Sequence, residues 1–175
     1  MRIPSSRNPA VTGSLNPRVT SSINPRVTSR LNPRVMSSIN PSVTSSLNPR
    51  VRSSINPRVT SSLNYRVTSS KNPRVTSSLN PRITSALTPN VASNISGLYI
   101  FNAELRPIGF TVQKSDRFWL LFDADAEFAG VAIAAREGFY NIHDLNNGWI
   151  GFWVHARDKT YLIYDLGKNW IGITS

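Results

Sequence analysis

Hydrophobic residues follow two different periods along the 175 residues of this chain. From residue 1 to residue 96, one valine and one leucine or isoleucine recur in nearly every block of eight, four residues apart. From residue 97 to residue 175, apolar residues alternate with others over short stretches, which is the period of a half-buried β-strand. The two patterns predict two regions of different structure that meet at Ser96.

The first region repeats the octad N-P-R-V-T-S-S-(L/I) about twelve times. The asparagine before proline keeps a constant step of eight from Asn8 to Asn80. A proline in each octad excludes an α-helix, because proline removes a backbone donor and clashes with the preceding turn. With the two-residue period of a strand, proline, valine, one serine and leucine would face inward, and asparagine, arginine, threonine and the other serine would face outward.

Leucine and isoleucine alternate in the last column of the octad from Leu15 to Leu63, which indicates a true unit of sixteen residues. Such a unit, with Asn-Pro at its corners, predicts a thin β-solenoid in which each coil stacks on the next. The same octads fit a fibre-like β-helix shared by three chains. Their composition, with few aliphatic residues and Tyr65 as the single aromatic residue, also fits a disordered arm. The sequence leaves these alternatives open.

The second region is also a repeat, with a period of 21 residues. One column holds asparagine or aspartate and another holds glycine: Asn102, Asp123, Asp144 and Asp165, and Gly109, Gly130, Gly151 and Gly172. Turn-forming residues between two apolar stretches predict that each copy is a β-hairpin. A single hairpin cannot bury its face, so the four copies should share a core around a pseudo-fourfold axis. The glycines would allow close backbone approach at equivalent places.

These copies, above all IYDLGKNWIG, resemble the four-fold beta flower family of small bacterial domains. The resemblance covers residues 97–175 and none of the octads. It implies a compact domain of four hairpins that acts as an accessory module without established catalytic residues. The expected fold is therefore all-β, with an octad region at 1–96 and a four-hairpin domain at 97–175.

Charge is divided very unequally between the two regions. Residues 1–96 carry thirteen basic and no acidic residues, whereas residues 97–175 carry seven basic and nine acidic ones. One octad column holds most of the positive charge: Arg18, Arg26, Arg34, Arg50, Arg58, Arg66, Arg74 and Arg82. Guanidinium groups stacked about 4.8 Å apart repel one another. Unless salt and solvent screen it, this arginine column predicts binding to a polyanion such as nucleic acid, or to an acidic protein surface.

Residues that could support catalysis or bind a metal are few. The chain has no cysteine, which excludes disulfides and thiolate metal sites. Asp123, Asp125 and Glu127 are more typical of a turn than of a calcium loop, because the central glycine and the distal glutamate of that loop are missing. His143 occupies a column of aromatic residues, and His155 has no second ligand at a useful spacing. We expect no enzymatic activity, no cofactor and no metal.

The start of the chain lacks the apolar segment of a signal peptide, and the run Phe118–Phe122 is too short to span a bilayer. These features predict a soluble cytoplasmic protein, with export by a route without a cleaved signal still open. Two functions remain. The first is a structural or assembly protein, in which a β-repeat shaft carries the four-hairpin head and binds a protein partner or associates with itself as a trimer or fibre. The second is polyanion binding through the arginine column.

Overall fold

A computed structural model describes residues 1–175, the whole chain. Eleven 3₁₀ turns come first, at Ser5–Arg7, Gly13–Leu15, Ser21–Ile23, Ser29–Leu31, Ser37–Ile39, Ser45–Leu47, Ser53–Ile55, Ser61–Leu63, Ser69–Lys71, Ser77–Leu79 and Ser85–Leu87. Eight strands follow: β1 Tyr99–Asn102, β2 Pro107–Ser115, β3 Phe118–Asp123, β4 Phe128–Arg136, β5 Phe139–His143, β6 Trp149–Arg157, β7 Thr160–Asp165 and β8 Trp170–Thr174.

The eight strands form one closed antiparallel barrel, in which each strand pairs with the next and β8 pairs with β1. Each 21-residue copy supplies one strand pair, which we number hairpin 1 (β1–β2) to hairpin 4 (β7–β8). The β content predicted for this region is confirmed. The hairpins do not stand apart as separate blades, because they hydrogen-bond edge to edge and so leave no open strand edge.

The four hairpins turn in the same way. In hairpin 2, Asp123 Oδ1 accepts the backbone N–H groups of Asp125 and Glu127, both at 2.9 Å. Asn102 and Asp144 each accept two backbone N–H groups in the same manner. One residue of each turn has a left-handed backbone: Leu105, Ala126, Asn147 and Lys168. We call the end of the barrel that carries residues 102–106, 123–127, 144–148 and 165–169 the turn end.

The glycine column lies where neighbouring backbones approach most closely. A Cβ atom on Gly109, Gly130, Gly151 or Gly172 would lie 2.2–2.4 Å from a carbonyl oxygen of the adjacent strand. No side chain fits at that distance without moving the backbone.

The side chains of each strand alternate between the interior of the barrel and its outer face. The interior holds a cluster of nine buried residues that includes Trp119, Leu121 and Trp153. The outer face is just as apolar: Phe118, Leu120 and Phe122 are at most 3% exposed. An apolar outer face must be covered, and the octads cover it.

Residues 1–96 contain no β-strand, so the predicted β-solenoid and β-helix are wrong. In each octad the asparagine carbonyl accepts the N–H groups of the residues three and four positions later, and its Oδ1 usually accepts the N–H two positions later. The 3₁₀ turn follows at once. Two tight turns in eight residues leave no extended segment long enough for a ladder.

The threonine of most octads ties it to the preceding one. Thr28 Oγ1 donates to the carbonyl of Ser21 at 2.6 Å, and the same bond recurs at Thr20, Thr44 and Thr60. The result is a regular chain of turns.

The octads encircle the barrel as a closed collar, by which we mean residues 1–96. Its start meets its end where Arg2 N donates to Pro89 O at 2.8 Å. Arg7 fastens this closure, since its guanidinium donates to the carbonyls of Ile95, Gly97 and Ser175 at 2.6–2.8 Å. The octads therefore surround the barrel and do not extend from it as a shaft or an arm.

The collar directs its proline and leucine columns inward. Every proline-column residue from Pro9 to Pro89 is buried, including Tyr65, which replaces proline. The buried residues of the leucine column, with Tyr65, join the outer face of the barrel in one cluster of 28 buried residues. The expectation that valine faces inward is wrong, because the turns break the two-residue alternation. The valine column is 61–70% exposed: Val11, Val19, Val27, Val35, Val43, Val51, Val59, Val67, Val75, Ile83 and Val91.

Three octads correspond to each hairpin, so the structural unit of the collar has 24 residues and the predicted unit of sixteen is wrong. Arg34, Arg58 and Arg82, which are 24 residues apart, contact the turns of hairpins 4, 3 and 2 in that order. Twelve octads thus match four hairpins, and the collar runs around the barrel in the opposite direction to the hairpins.

The accessible surface of the chain is 8181 Å². About 8,500 Å² is expected of a compact monomer of this mass, so the collar adds no extended surface. No helix in the structure has the length and apolar character needed to cross a membrane.

The glycine column provides a test of the barrel. Gly151→Ala should lower the free energy of unfolding by about 2 kcal/mol or more, because the added methyl group meets Tyr164 O at 2.4 Å. Gly13→Ala is the control: no atom lies within 4 Å of its Cβ position, so it should be neutral or stabilise by about 0.5 kcal/mol. Urea unfolding followed by tryptophan fluorescence measures both, and equal stabilities would contradict the close approach.

Candidate functional site at the turn end

The structure brings the predicted arginine column to the turn end of the barrel. All eight side chains are exposed. Arg18 donates to the carbonyl of Ala103 at 2.7 Å, Arg34 to Asn169 Oδ1 at 2.6 Å, and Arg66 to Asn146 Oδ1 at 2.8 Å. The column for which the sequence predicts an external partner thus also bonds the collar to the hairpin turns of the same chain.

These contacts pair only one arginine of the column directly with a carboxylate. The single salt bridge of the chain joins Arg82 to Glu127, and both side chains are more than half exposed. The other partners are backbone carbonyls and side-chain amides, which are neutral. The turn end as a whole keeps a net positive charge that attracts anions, because the eight column arginines, with Arg106 and Lys168, outnumber its six carboxylates: Glu104, Asp123, Asp125, Glu127, Asp144 and Asp165.

Three equivalent cavities lie between the collar and the turns, with volumes of 250, 270 and 290 Å³. We call them the arginine pockets. The collar gives each one proline, two arginines and an asparagine, and the barrel gives each a hairpin turn and an aromatic residue. The arginine pairs are Arg26 and Arg34 in the first pocket, Arg50 and Arg58 in the second, and Arg74 and Arg82 in the third.

The corresponding positions in the fourth quarter of the collar carry Met1, Arg2, Asn8 and Ala10. Alanine replaces the second arginine there, so this quarter lacks the pair. Ala10 is one of the positions in the arginine column that do not carry arginine. Because of Ala10, arginine pairs occur in only three of the four equivalent quarters of the turn end.

The pockets differ in their remaining charge. The first adds Lys168 and contains no carboxylate. The second contains no carboxylate either, but its lining includes His143. The third contains Glu127, which pairs with Arg82. The first and second pockets are therefore the stronger anion sites.

Each pocket also contains an aromatic ring that the sequence did not connect with arginine. Trp170, Trp149 and Phe128 are 21 residues apart and lie in the first, second and third pockets. The guanidinium of Arg50 lies 5.3 Å from the centre of the Trp149 ring, within the range of a cation–π contact. The signal in the sequence for this meeting of arginine and aromatic ring is that both regions are repeats. A 24-residue collar unit and a 21-residue hairpin unit can each occur four times around one axis, so equivalent residues of the two units meet in each quarter.

His143 is the least satisfied group near these pockets. It is 1% exposed, and neither ring nitrogen has a hydrogen-bond partner. Phe101, Phe122 and Tyr164 occupy the same column, and the Tyr164 hydroxyl donates to the carbonyl of Leu31. Burial lowers the pKa of His143 to about 4.

The predicted structural columns do not form a metal site. Asp123 uses its Oδ1 for two turn amides, and no group of three potential metal-ligating side chains occurs in the structure. The turns that these residues shape instead provide the backbone carbonyls and amides that the arginine column contacts.

Comparison with models of protein families, with curated proteins and with solved structures finds no match to the chain. The resemblance of residues 97–175 to the four-fold beta flower family therefore rests on the sequence pattern alone and stays a prediction.

The buried histidine makes stability depend on pH. Its pKa is about 4 in the folded chain and 6.5 ordinarily, so only the unfolded chain binds this proton between those values. The free energy of unfolding should fall as pH drops from 6.5, by up to about 3 kcal/mol near pH 4. His143→Phe, which introduces the residue of two other hairpins, should remove this loss. Denaturation across this pH range measures it, with His155→Asn as the control that keeps it. An unchanged pH dependence in His143→Phe would contradict the assignment.

Proposed function

We propose that this protein is a non-enzymatic binding protein that holds a polyanion, best matched by an unpaired nucleic-acid strand, across the turn end of its barrel. The observation that carries the proposal is the repetition of an arginine pair beside an aromatic ring in three equivalent pockets.

The arginine pairs favour phosphate as the anionic group. A guanidinium presents parallel N–H donors that match two phosphate oxygens, and two guanidiniums in one pocket can hold one phosphate from two sides. The net charge of +11 strengthens the attraction at long range. Because the pairs recur around an axis, a polymer can occupy several pockets, whereas a single small anion fills only one.

The aromatic rings favour nucleic acid over other polyanions. Trp149 and Trp170 are partly exposed, and an aromatic face beside a basic groove is the usual arrangement for stacking an unpaired base. The octads alone lack such rings, and the barrel supplies them. The structure offers no helix to enter a groove of duplex DNA, which favours a single strand.

Assembly is a second candidate, and the exposed valine column favours it. Eleven aliphatic side chains, each at least 61% exposed, repeat around the collar. A repeated apolar surface of this kind is typical of a contact between proteins. The partner in this case is a second copy of this chain. Because two copies repel each other through their positive charge, salt should strengthen self-association. Salt weakens polyanion binding, so the two functions respond to salt with opposite signs.

Binding of a labelled oligothymidylate of about 20 nucleotides tests the first function. Fluorescence anisotropy should show binding that weakens steeply with salt. The quadruple variant with Arg26, Arg34, Arg50 and Arg58 changed to glutamine should bind about 100-fold more weakly at low salt, because it removes two pockets.

A matched control removes the same charge elsewhere, with Arg30, Lys114, Arg157 and Lys159 changed to glutamine. This variant should keep most of the affinity. Equal losses in the two variants would contradict the pockets and leave only net charge. Binding of heparin without binding of the oligonucleotide would contradict the nucleic-acid assignment. Sedimentation in the same salt series measures assembly: a monomer at every salt concentration contradicts that candidate.

A further inference from the structure

The barrel has a further cavity at the end opposite the turns. Its volume is 540 Å³, and it lies between the loops that join β2 to β3 and β4 to β5. We call it the mouth cavity. None of its lining residues belongs to the arginine column, so it is separate from the proposed polyanion site.

Three aromatic residues from one column of the 21-residue repeat form its wall. They are Trp119, Tyr140 and Tyr161, and Leu98 holds the fourth position of the column. The rings of Tyr140 and Tyr161 lie 5.7 Å apart at 83°, so they form a corner and do not stack on each other. Tyr161 is half-buried and supplies most of the open ring surface of this corner, while Tyr140 is 7% exposed and supports it from the side.

The rim of the cavity carries donors and acceptors in equal measure. Asp116 and Glu137 supply carboxylate oxygens, Arg117 and Arg136 supply guanidinium donors, and Gln113 supplies both kinds of group. The two positive and two negative charges balance, in contrast to the turn end. A site with balanced charge and many hydrogen-bonding groups suits a neutral ligand that is itself rich in donors and acceptors.

Two groups in the wall are prepared to donate. The Tyr161 hydroxyl is the one that a ligand can reach, since the indole Nε1 of Trp119 has no acceptor but is buried with its side chain, which is 8% exposed. Burial, followed by the neighbouring Tyr140 and Glu137, raises the pKa of Tyr161 to about 12, so its hydroxyl keeps its proton. The Tyr140 hydroxyl already donates to the carbonyl of Asp116 at 2.6 Å and helps to fix the rim.

We propose that the mouth cavity binds a neutral saccharide of one or two pyranose units. The aromatic corner matches the flat apolar C–H faces of a pyranose, and the mixed rim matches its ring of hydroxyl groups, each of which is both donor and acceptor. The volume lies within the range of small-ligand sites, and it holds a sugar of this size with room for water. Because the rim has no net charge, a charged sugar gains nothing there over a neutral one.

Saturation-transfer NMR and calorimetry on the full chain test this inference. The probes are the methyl glycosides of glucose, galactose, mannose and N-acetylglucosamine, with maltose and cellobiose, and adenosine as a flat non-saccharide. At least one sugar should bind with a dissociation constant below about 10 mM. Tyr161→Ala should weaken that binding by about tenfold or more, because it removes one side of the aromatic corner.

Glu137→Gln keeps the shape of an exposed rim residue and should weaken binding about tenfold, so the test does not depend on a barrel variant that fails to fold. Asp158→Asn, near the mouth but outside its lining, should bind as the parent does. The inference is overturned if no sugar binds, if adenosine alone binds, or if Glu137→Gln and Asp158→Asn retain the same affinity. The outcome does not depend on oligonucleotide binding at the turn end.

Discussion

Neither the barrel nor the octads can remove their apolar surface from water without the other. In β3, Trp119 and Leu121 fill the barrel, while Phe118 and Leu120 point outward and are still at most 1% exposed. Within the octads alone, inward residues such as Leu31 and Leu47 would have only other small turns to pack against. Burial of a leucine or phenylalanine side chain stabilises by about 1.5–3 kcal/mol. The shared cluster of 28 residues is therefore the interaction on which the collar, and every site built on it, depends.

The matched periods determine where function can arise. Because three octads cover one hairpin, each arginine in the 24-residue unit meets the same turn position in successive quarters. Arg34 and Arg58 thus lie in equivalent surroundings although their hairpins differ in sequence. The same symmetry places aromatic side chains at both ends of the barrel. One end combines them with an excess of arginine over carboxylate and the other with a cavity lining of two positive and two negative side chains, so the two ends of one fold differ chemically.

Local features of the fold were predictable from the sequence and tertiary ones were not. The strand pairs, the aspartate-headed turns and the glycine column follow from a 21-residue pattern that local physics determines. The octads are different, because a spacing of four between Val and Leu fits a strand, a shared β-helix or a disordered arm, and the turns that begin at Asn16 and its equivalents exclude all three. One stretch of the sequence does indicate the covered outer face: Phe118–Phe122 is apolar at every position, which is typical of a strand buried on both faces. The spacing of the octads predicts the arginines of the candidate site, but their aromatic neighbours belong to the second region of the chain, and only the fold brings the two together.

Hydrogen exchange of the octad amides tests the dependence of the collar on the barrel most directly. The N–H groups of Leu31 and Ile55 donate to Thr28 O and Arg52 O within single turns, which have no stability of their own. If the collar is held by the shared core, these amides should be protected and should open with the same free energy as barrel amides such as that of Tyr99. Exchange of the octad amides at the rate of an unfolded chain, while the barrel stays protected, would contradict the account.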